Sequence, residues 1–183
     1  MSLHDTATEL LDDLELEFDA ERREAYGLDP ELEEDCKLAR PSVALLPRDV
    51  GAAPVIVAFS AFPGLRMRFG HWCAVAFPTC GCNACDETAH SETERLRSLI
   101  DNMISGRFRE AIRVRADGTP WKESESWSTG GSFAEESRLD EALARKLIDA
   151  TGPPLAAMAQ TQVISVLSKS LSAEEQNNNR GTD

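Results

Sequence analysis

No apolar run of the roughly 18 residues needed for a membrane-spanning helix occurs in this 183-residue chain. The opening Met1-Ser2-Leu3-His4-Asp5 lacks the basic start and apolar centre of a secretory signal. A cytoplasmic protein with no membrane partner is therefore expected. Basic residues are scarce, 19 against 32 acidic ones, for a formal net charge of -13. Phosphate backbones and anionic lipid surfaces are repelled overall, and no basic patch is visible, so no nucleic-acid partner is expected. Also missing are a Gly-rich phosphate loop, a G-x-S-x-G elbow, an H-E-x-x-H pair and a carboxylate set with metal-clamp spacing. These absences remove the easiest enzyme assignments and weigh against catalysis.

What is present suits one core of ordinary size. We expect a single α+β domain over residues 1–171, with an antiparallel or mixed sheet of four to five strands covered by helices. A disordered polar tail is expected over 172–183. Residues 1–40 are expected to form an acidic helical segment with 14 acidic and 4 basic groups, read first as a solvated helix face and otherwise as an arm that docks on a basic partner or a disordered stretch. If its leucines were uncovered, a homodimer or a protein partner would follow.

Leu10, Leu11, Leu14 and Phe18 predict a helix over 6–26, and a shorter helix follows over 30–39. Residues 55–59, 65–69 and 72–77 have strand length and patterning, and their closeness favours a meander. Ser91 and Glu94 predict a capping box, and Leu96, Leu99, Ile100, Met103 and Ile104 give the helix behind it a buried stripe closed at Gly106. A strand over 107–116 is expected to turn at Asp117-Gly118 into residues 121–127. Residues 128–132 read as a loop, Ser132 and Glu135 as the cap of a helix running to Ala150, and residues 155–171 as a last helix with Val163, Val166 and Leu167 inward.

The chemistry-bearing feature is the run Cys80-Gly81-Cys82-Asn83-Ala84-Cys85-Asp86-Glu87, with Cys36 and Cys73 elsewhere. In a reducing compartment clustered thiols point to metal or reversible thiol chemistry before disulfides. Three readings stand. Cys80, Cys82 and Cys85 with His90 are a candidate structural zinc site, tetrahedral and closed to substrate, with Cys73 and Asp86 as fallback fourth donors. Alternatively, Cys82 and Cys85 form a thiol–disulfide oxidoreductase pair or redox switch, favoured by a helix N-terminus and opposed by Asp86 and Glu87. Thirdly, the thiols bind no metal and pack as small hydrophobes, with Gly81 serving the loop's backbone. Cys36 reads as an ordinary half-buried residue, His71 as a surface or hydrogen-bonded turn residue rather than a catalytic base, and His4 as disordered or exposed. Trp121 and Trp127 share strand parity and are expected to cover the core. Arg107, Arg109, Arg113 and Arg115 form a stripe suited to an anionic ligand or to the acidic first segment.

Phe59-Ser60-Ala61-Phe62-Pro63-Gly64-Leu65, then Gly70, then residues 77–87, resemble a family of small uncharacterised actinobacterial proteins with an F-P-G-L turn and a C-G-C-D-A-C-D/E signature. Asn83 stands where that signature has Asp. Gly106, Phe108 and Glu110 are similar to the family's segment after its central helix. The resemblance spans roughly residues 40–150 and implies no established function.

Overall fold

Alternation of Leu65, Met67 and Phe69 with Arg66 and Arg68 gives one strand an apolar face and a cationic face, and the first of two sheets is built around it. The computed structural model describes residues 2–34, 36–49, 52–62, 64–79, 88–128, 131–151 and 161–165. In chain order the elements are α1 (Leu3–Glu17), β1 (Ala20–Ala25), α2 (Pro30–Glu33), β2 (Ser42–Pro47), β3 (Val55–Phe59), β4 (Leu65–Phe69) and β5 (Cys73–Phe77). Then follow α3 (Ala89–Ile104), β6 (Phe108–Val114), β7 (Pro120–Ser128), β8 (Gly131–Arg138), α4 (Glu141–Thr151) and β9 (Thr161–Ser165). The first sheet runs β1-β2-β3-β4-β5 and the second β8-β7-β6-β9; every pairing is antiparallel. This is the expected α+β class, with its strands divided between two sheets.

The expected meander is present as β3, β4 and β5. Its inward residues Val57, Phe59, Leu65, Met67, Phe69 and Phe77 are buried with Leu3, Ala7 and Leu11 of α1 and Leu96, Ile100 and Met103 of α3. Burying each large side chain contributes about 1.5–3 kcal/mol. The first helix is shorter than expected. Ser2 caps α1 and exchanges a capping box with Asp5, but the helix stops at Glu17 and residues 20–25 pair with β2 from Ala20 opposite Pro47 to Ala25 opposite Ser42. Helix propensity in Ala-Glu-Arg-Arg-Glu-Ala is a weak preference, and tertiary strand pairing overrides it. The expected 30–39 helix shrinks to the single turn of α2.

Two later expectations change in the same way. Residues 131–138 form β8 rather than the start of a helix, pairing with β7 from Gly131 opposite Ser128 to Arg138 opposite Trp121. The helix begins instead behind Asp140, whose Oδ1 accepts from the amides of Ala142 and Leu143 at 3.0 Å each. Val163, expected on a last helix, lies in β9 opposite Ala111. The rest of that expected helix and the 172–183 tail lie outside the described residues.

A carboxylate joins the sheets. Glu110 of β6, with 0% exposure, accepts from three successive amides at the β4–β5 turn: His71 at 2.7 Å, Trp72 at 3.1 Å and Cys73 at 3.0 Å. Three charge-assisted bonds offset much of the cost of burying the charge. Gly70 makes room for them: its φ is +68, and a Cβ there would overlap the carboxylate.

On the outer face of the first sheet, Arg68 reaches Asp29 and Glu31 beside α2, with Nη2 3.2 Å from Asp29 Oδ1 and 3.1 Å from Glu31 Oε2. Burial works to raise the Asp29 pKa, but the Arg68 guanidinium and the Leu32 amide outweigh it and hold the carboxyl below its ordinary value.

Replacing Glu110 with Gln sets an NH₂ against a backbone donor and should cost about 2–4 kcal/mol in chemical denaturation. Gly70→Ala should cost at least as much, whereas Gly118→Ala, also at positive φ but in open space, should cost only about 1 kcal/mol of backbone strain. For Asp29, a depressed folded pKa means that its stabilisation is present above the unfolded carboxyl pKa and is lost as pH falls through the folded one. Wild-type stability should therefore decline below about pH 4, and Asp29→Asn should be less stable at pH 7 with a flatter acid limb.

Candidate functional site

The cysteine run begins two residues after Pro78 and ends at Glu87, the residue before the cap of α3. Thr88 is that cap: its side chain accepts from the Ser91 amide at 3.1 Å, and the Ser91 hydroxyl accepts from the Thr88 amide at 3.0 Å. The capping box is therefore Thr88 with Ser91, not Ser91 with Glu94. From the next turn Arg95 donates to the Ala76 carbonyl at 2.5 Å, lies 4.2 Å over the Phe77 ring and holds Glu92 at 2.5 Å. One side chain thus fastens the strand that enters the run to the helix that leaves it.

Cys80, Cys82 and Cys85, with Asp86 and Glu87, lie outside the described residues, so three of the four proposed zinc donors have no geometry to report. His90 is described. It stands exposed on the first turn of α3 with Nε2 3.4 Å from Glu94 Oε1. Among the described residues no group of three or more His, Cys, Asp or Glu side chains converges as a metal site.

The two described cysteines differ. Cys73 opens β5 inside the core, and burial, then the charge of Glu110, pushes its thiol pKa up to about 12. Such a thiol is a poor nucleophile, and Cys73 stands at the opposite end of β5 from Phe77, which leads into the run. Cys36 is half-buried, as expected, but it lines a cleft of about 360 Å³ whose wall also includes Lys37, Arg66, Phe62, Phe77 and Thr79. Thr79 is the residue before Cys80. Sequence reading missed this cleft because its residues come from three separate segments; the one available signal was the outward parity of Arg66 on an alternating strand.

The Arg66 guanidinium is fixed in the cleft by carbonyls. Nη1 donates to the Glu34 carbonyl at 2.6 Å and more distantly to that of Leu32 at 3.4 Å, where it meets the C-terminal carbonyls of α2. The outer wall is apolar and uncovered, since Phe62 is 59% exposed.

The other candidates resolve into structural roles. His4 is not simply exposed: Nε2 lies 2.9 Å from the Gly64 carbonyl and the ring meets Phe59 edge-on at 5.3 Å. His71 serves through its backbone amide, which donates to Glu110. The arginine stripe is paired within the chain, but not with the acidic first segment. Arg109 meets Glu125 at 2.8 Å, Arg113 meets Glu123 at 2.9 Å, and Arg115 meets Glu136 at 3.1 Å. Arg107 donates instead to Asn102 Oδ1 at 3.1 Å. Trp121 and Trp127 share the face of these ion pairs. Arg115 lies 3.5 Å over the Trp121 ring and Trp127 is exposed, so neither covers the core.

Two antiparallel sheets with helices packed on them, joined by a buried carboxylate, define an α+β domain; among the described residues no helix is long and apolar enough to cross a membrane. The chain belongs to a family of unknown function (DUF6226), whose model matches residues 1–161. No curated protein and no solved structure matches it.

Native-state alkylation with iodoacetamide at pH 8, read by peptide mass spectrometry, should label Cys36 readily and leave Cys73 unlabelled until the protein is unfolded.

Proposed function

We propose that this protein is a non-catalytic module with a structural or binding role. The supporting observation is that each buried charged side chain of the described residues is consumed by the fold. Asp29 and Arg68 hold one another, Glu92 holds Arg95, Glu123 holds Arg113, and Glu110 takes three amides. Acids and bases poised for catalysis sit with shifted pKa values in a cleft; these are committed elsewhere. Cys73, with its raised pKa, favours cysteines used for packing over cysteines used for chemistry.

A zinc site at Cys80, Cys82, Cys85 and His90 remains a second reading, supported by the position of His90. Its ring is open to solvent one turn from the run, and Glu94 is placed to orient it as a metal-bound imidazole requires. A cytoplasmic setting belongs to the same proposal and suits the free thiols Cys36 and Cys73. A net charge of -13 and the internally paired arginine stripe argue against nucleic acid as partner. Leu16 on α1 is 88% exposed, so a protein partner or a second copy would find an apolar contact there. The resemblance of residues 59–87 to an actinobacterial cysteine signature stays part of the zinc reading.

Elemental analysis of untagged protein purified under reducing conditions, with a thiol count on the denatured chain, separates these readings. Five titratable thiols and no metal would support the packing role. About one zinc per chain, lost in Cys82→Ser and reduced in His90→Ala, would establish the metal site. A disulfide between Cys82 and Cys85 that forms and reduces reversibly, and that turns over a dithiol substrate, would overturn the non-catalytic reading.

A further inference from the structure

The side chains of Lys37 and Arg66 line one cleft in a chain where cations are outnumbered, and among the described residues neither has a carboxylate within ion-pair distance. By contrast Arg68, on the same face of the same strand as Arg66, holds Asp29 and Glu31. No Asp or Glu of the described residues lines the cleft. We propose that it binds a small organic anion, an aromatic or apolar body carrying one carboxylate or phosphate. The inference rests on the reading of the chain as a binding module and supplies its ligand class.

Three features support this. The volume, about 360 Å³, falls within the range of small-molecule sites, which combine apolar walls with a few fixed polar groups. The walls are Phe62, Leu65, Phe77 and Pro78, and the exposed Phe62 ring is otherwise uncovered. The charge is held in place before any ligand arrives. With Nη1 bound by the Glu34 and Leu32 carbonyls, the guanidinium plane is fixed, and its Nε and Nη2 have no partner among the described residues. A fork that keeps two donors and loses little rotamer freedom on binding suits a planar carboxylate or a phosphate. Lys37, exposed at the rim, adds charge without geometric demand. The net charge of -13 works against any anion, so both cations contribute to recognition.

The test is a titration of the full ¹⁵N-labelled chain under reducing conditions with phenyl phosphate and benzoate, using benzyl alcohol as the neutral control. Saturable shifts confined to amides around Lys37, Ser60, Leu65, Arg66 and Ala76, absent with benzyl alcohol, are expected. Lys37→Gln, an exposed change that leaves the fold intact, should weaken binding about threefold. Arg66→Lys, which keeps the charge and loses the fork, should weaken it about tenfold. No saturable shift with either anion would overturn the proposal, as would equal shifts with benzyl alcohol or binding unchanged in both variants. Repeating the titration with Cys82→Ser keeps the two proposals apart. Binding that survives there belongs to the cleft alone, and binding lost only there assigns the anion to the thiol run, overturning the cleft assignment. Failure of the non-catalytic reading would appear in the thiol assay instead.

Discussion

The structure depends most on one carboxylate placed where water cannot reach it. Glu110 comes from the second sheet and ends in the turn between β4 and β5 of the first, where three consecutive amides would otherwise be buried without acceptors. Each side solves the other's problem: the amides replace the water lost by the charge, and the charge satisfies donors that the turn leaves out of the ladder. The two sheets are therefore joined by a contact that neither face of apolar side chains could specify alone. Phe108, two residues earlier on β6, enters the first core, and Ile112, two residues later, starts the second with Leu139 and Ala144. Trp72, whose amide is one of the three donors, packs against that second cluster.

A similar logic governs the outer face of the first sheet. Arg66 and Arg68 point away from the core because alternation leaves them no other direction, and α2 is placed to answer them. Asp29, its N-cap, and Glu31 meet Arg68, and its terminal carbonyls meet Arg66. A single turn of helix has little stability of its own. The two arginines supply the remainder, so the small α2 and the cationic strand face are interdependent. Among the described residues Arg66 is satisfied by carbonyls rather than by an acid, and that gives the cleft its cationic side.

The sequence made legible those elements whose period and burial agree. β3, β4 and β5 were placed nearly residue for residue because alternating apolar side chains face one core, and the α3 stripe was found through Leu96, Ile100 and Met103. Charged strands were misread. Ala20–Ala25 and Gly131–Arg138 are edge strands rich in Glu and Arg, and on an exposed edge nothing in the side chains distinguishes a strand from the turn of a helix. Their pairing partners decide, and those lie 17 to 27 residues away for β1. The Thr88–Ser91 box was overlooked because Ser91 was read as the cap rather than as the residue three beyond it. Of the candidate site, the thiols and His90 were visible as spacing, whereas Cys36, Lys37 and Arg66 converge only through the fold.

Charge distribution limits what the acidic first segment can do. It is not a free arm: Leu3, Ala7 and Leu11 are buried in the main core, and Arg22 reaches Asp12 and Glu15 from the neighbouring strand. Arg48 and Arg97 meet Asp19 and Glu9 at the surface, where such pairs are worth less than about 1 kcal/mol each. The apolar seam therefore docks the helix and the ion pairs orient it. The same distinction applies to the cysteine run. Arg95 already ties β5 to α3 across its two ends, so a metal bound between those ends would close a loop that the fold has brought together. Closing so short and already anchored a loop recovers little chain entropy. Any zinc there would therefore add little to global stability.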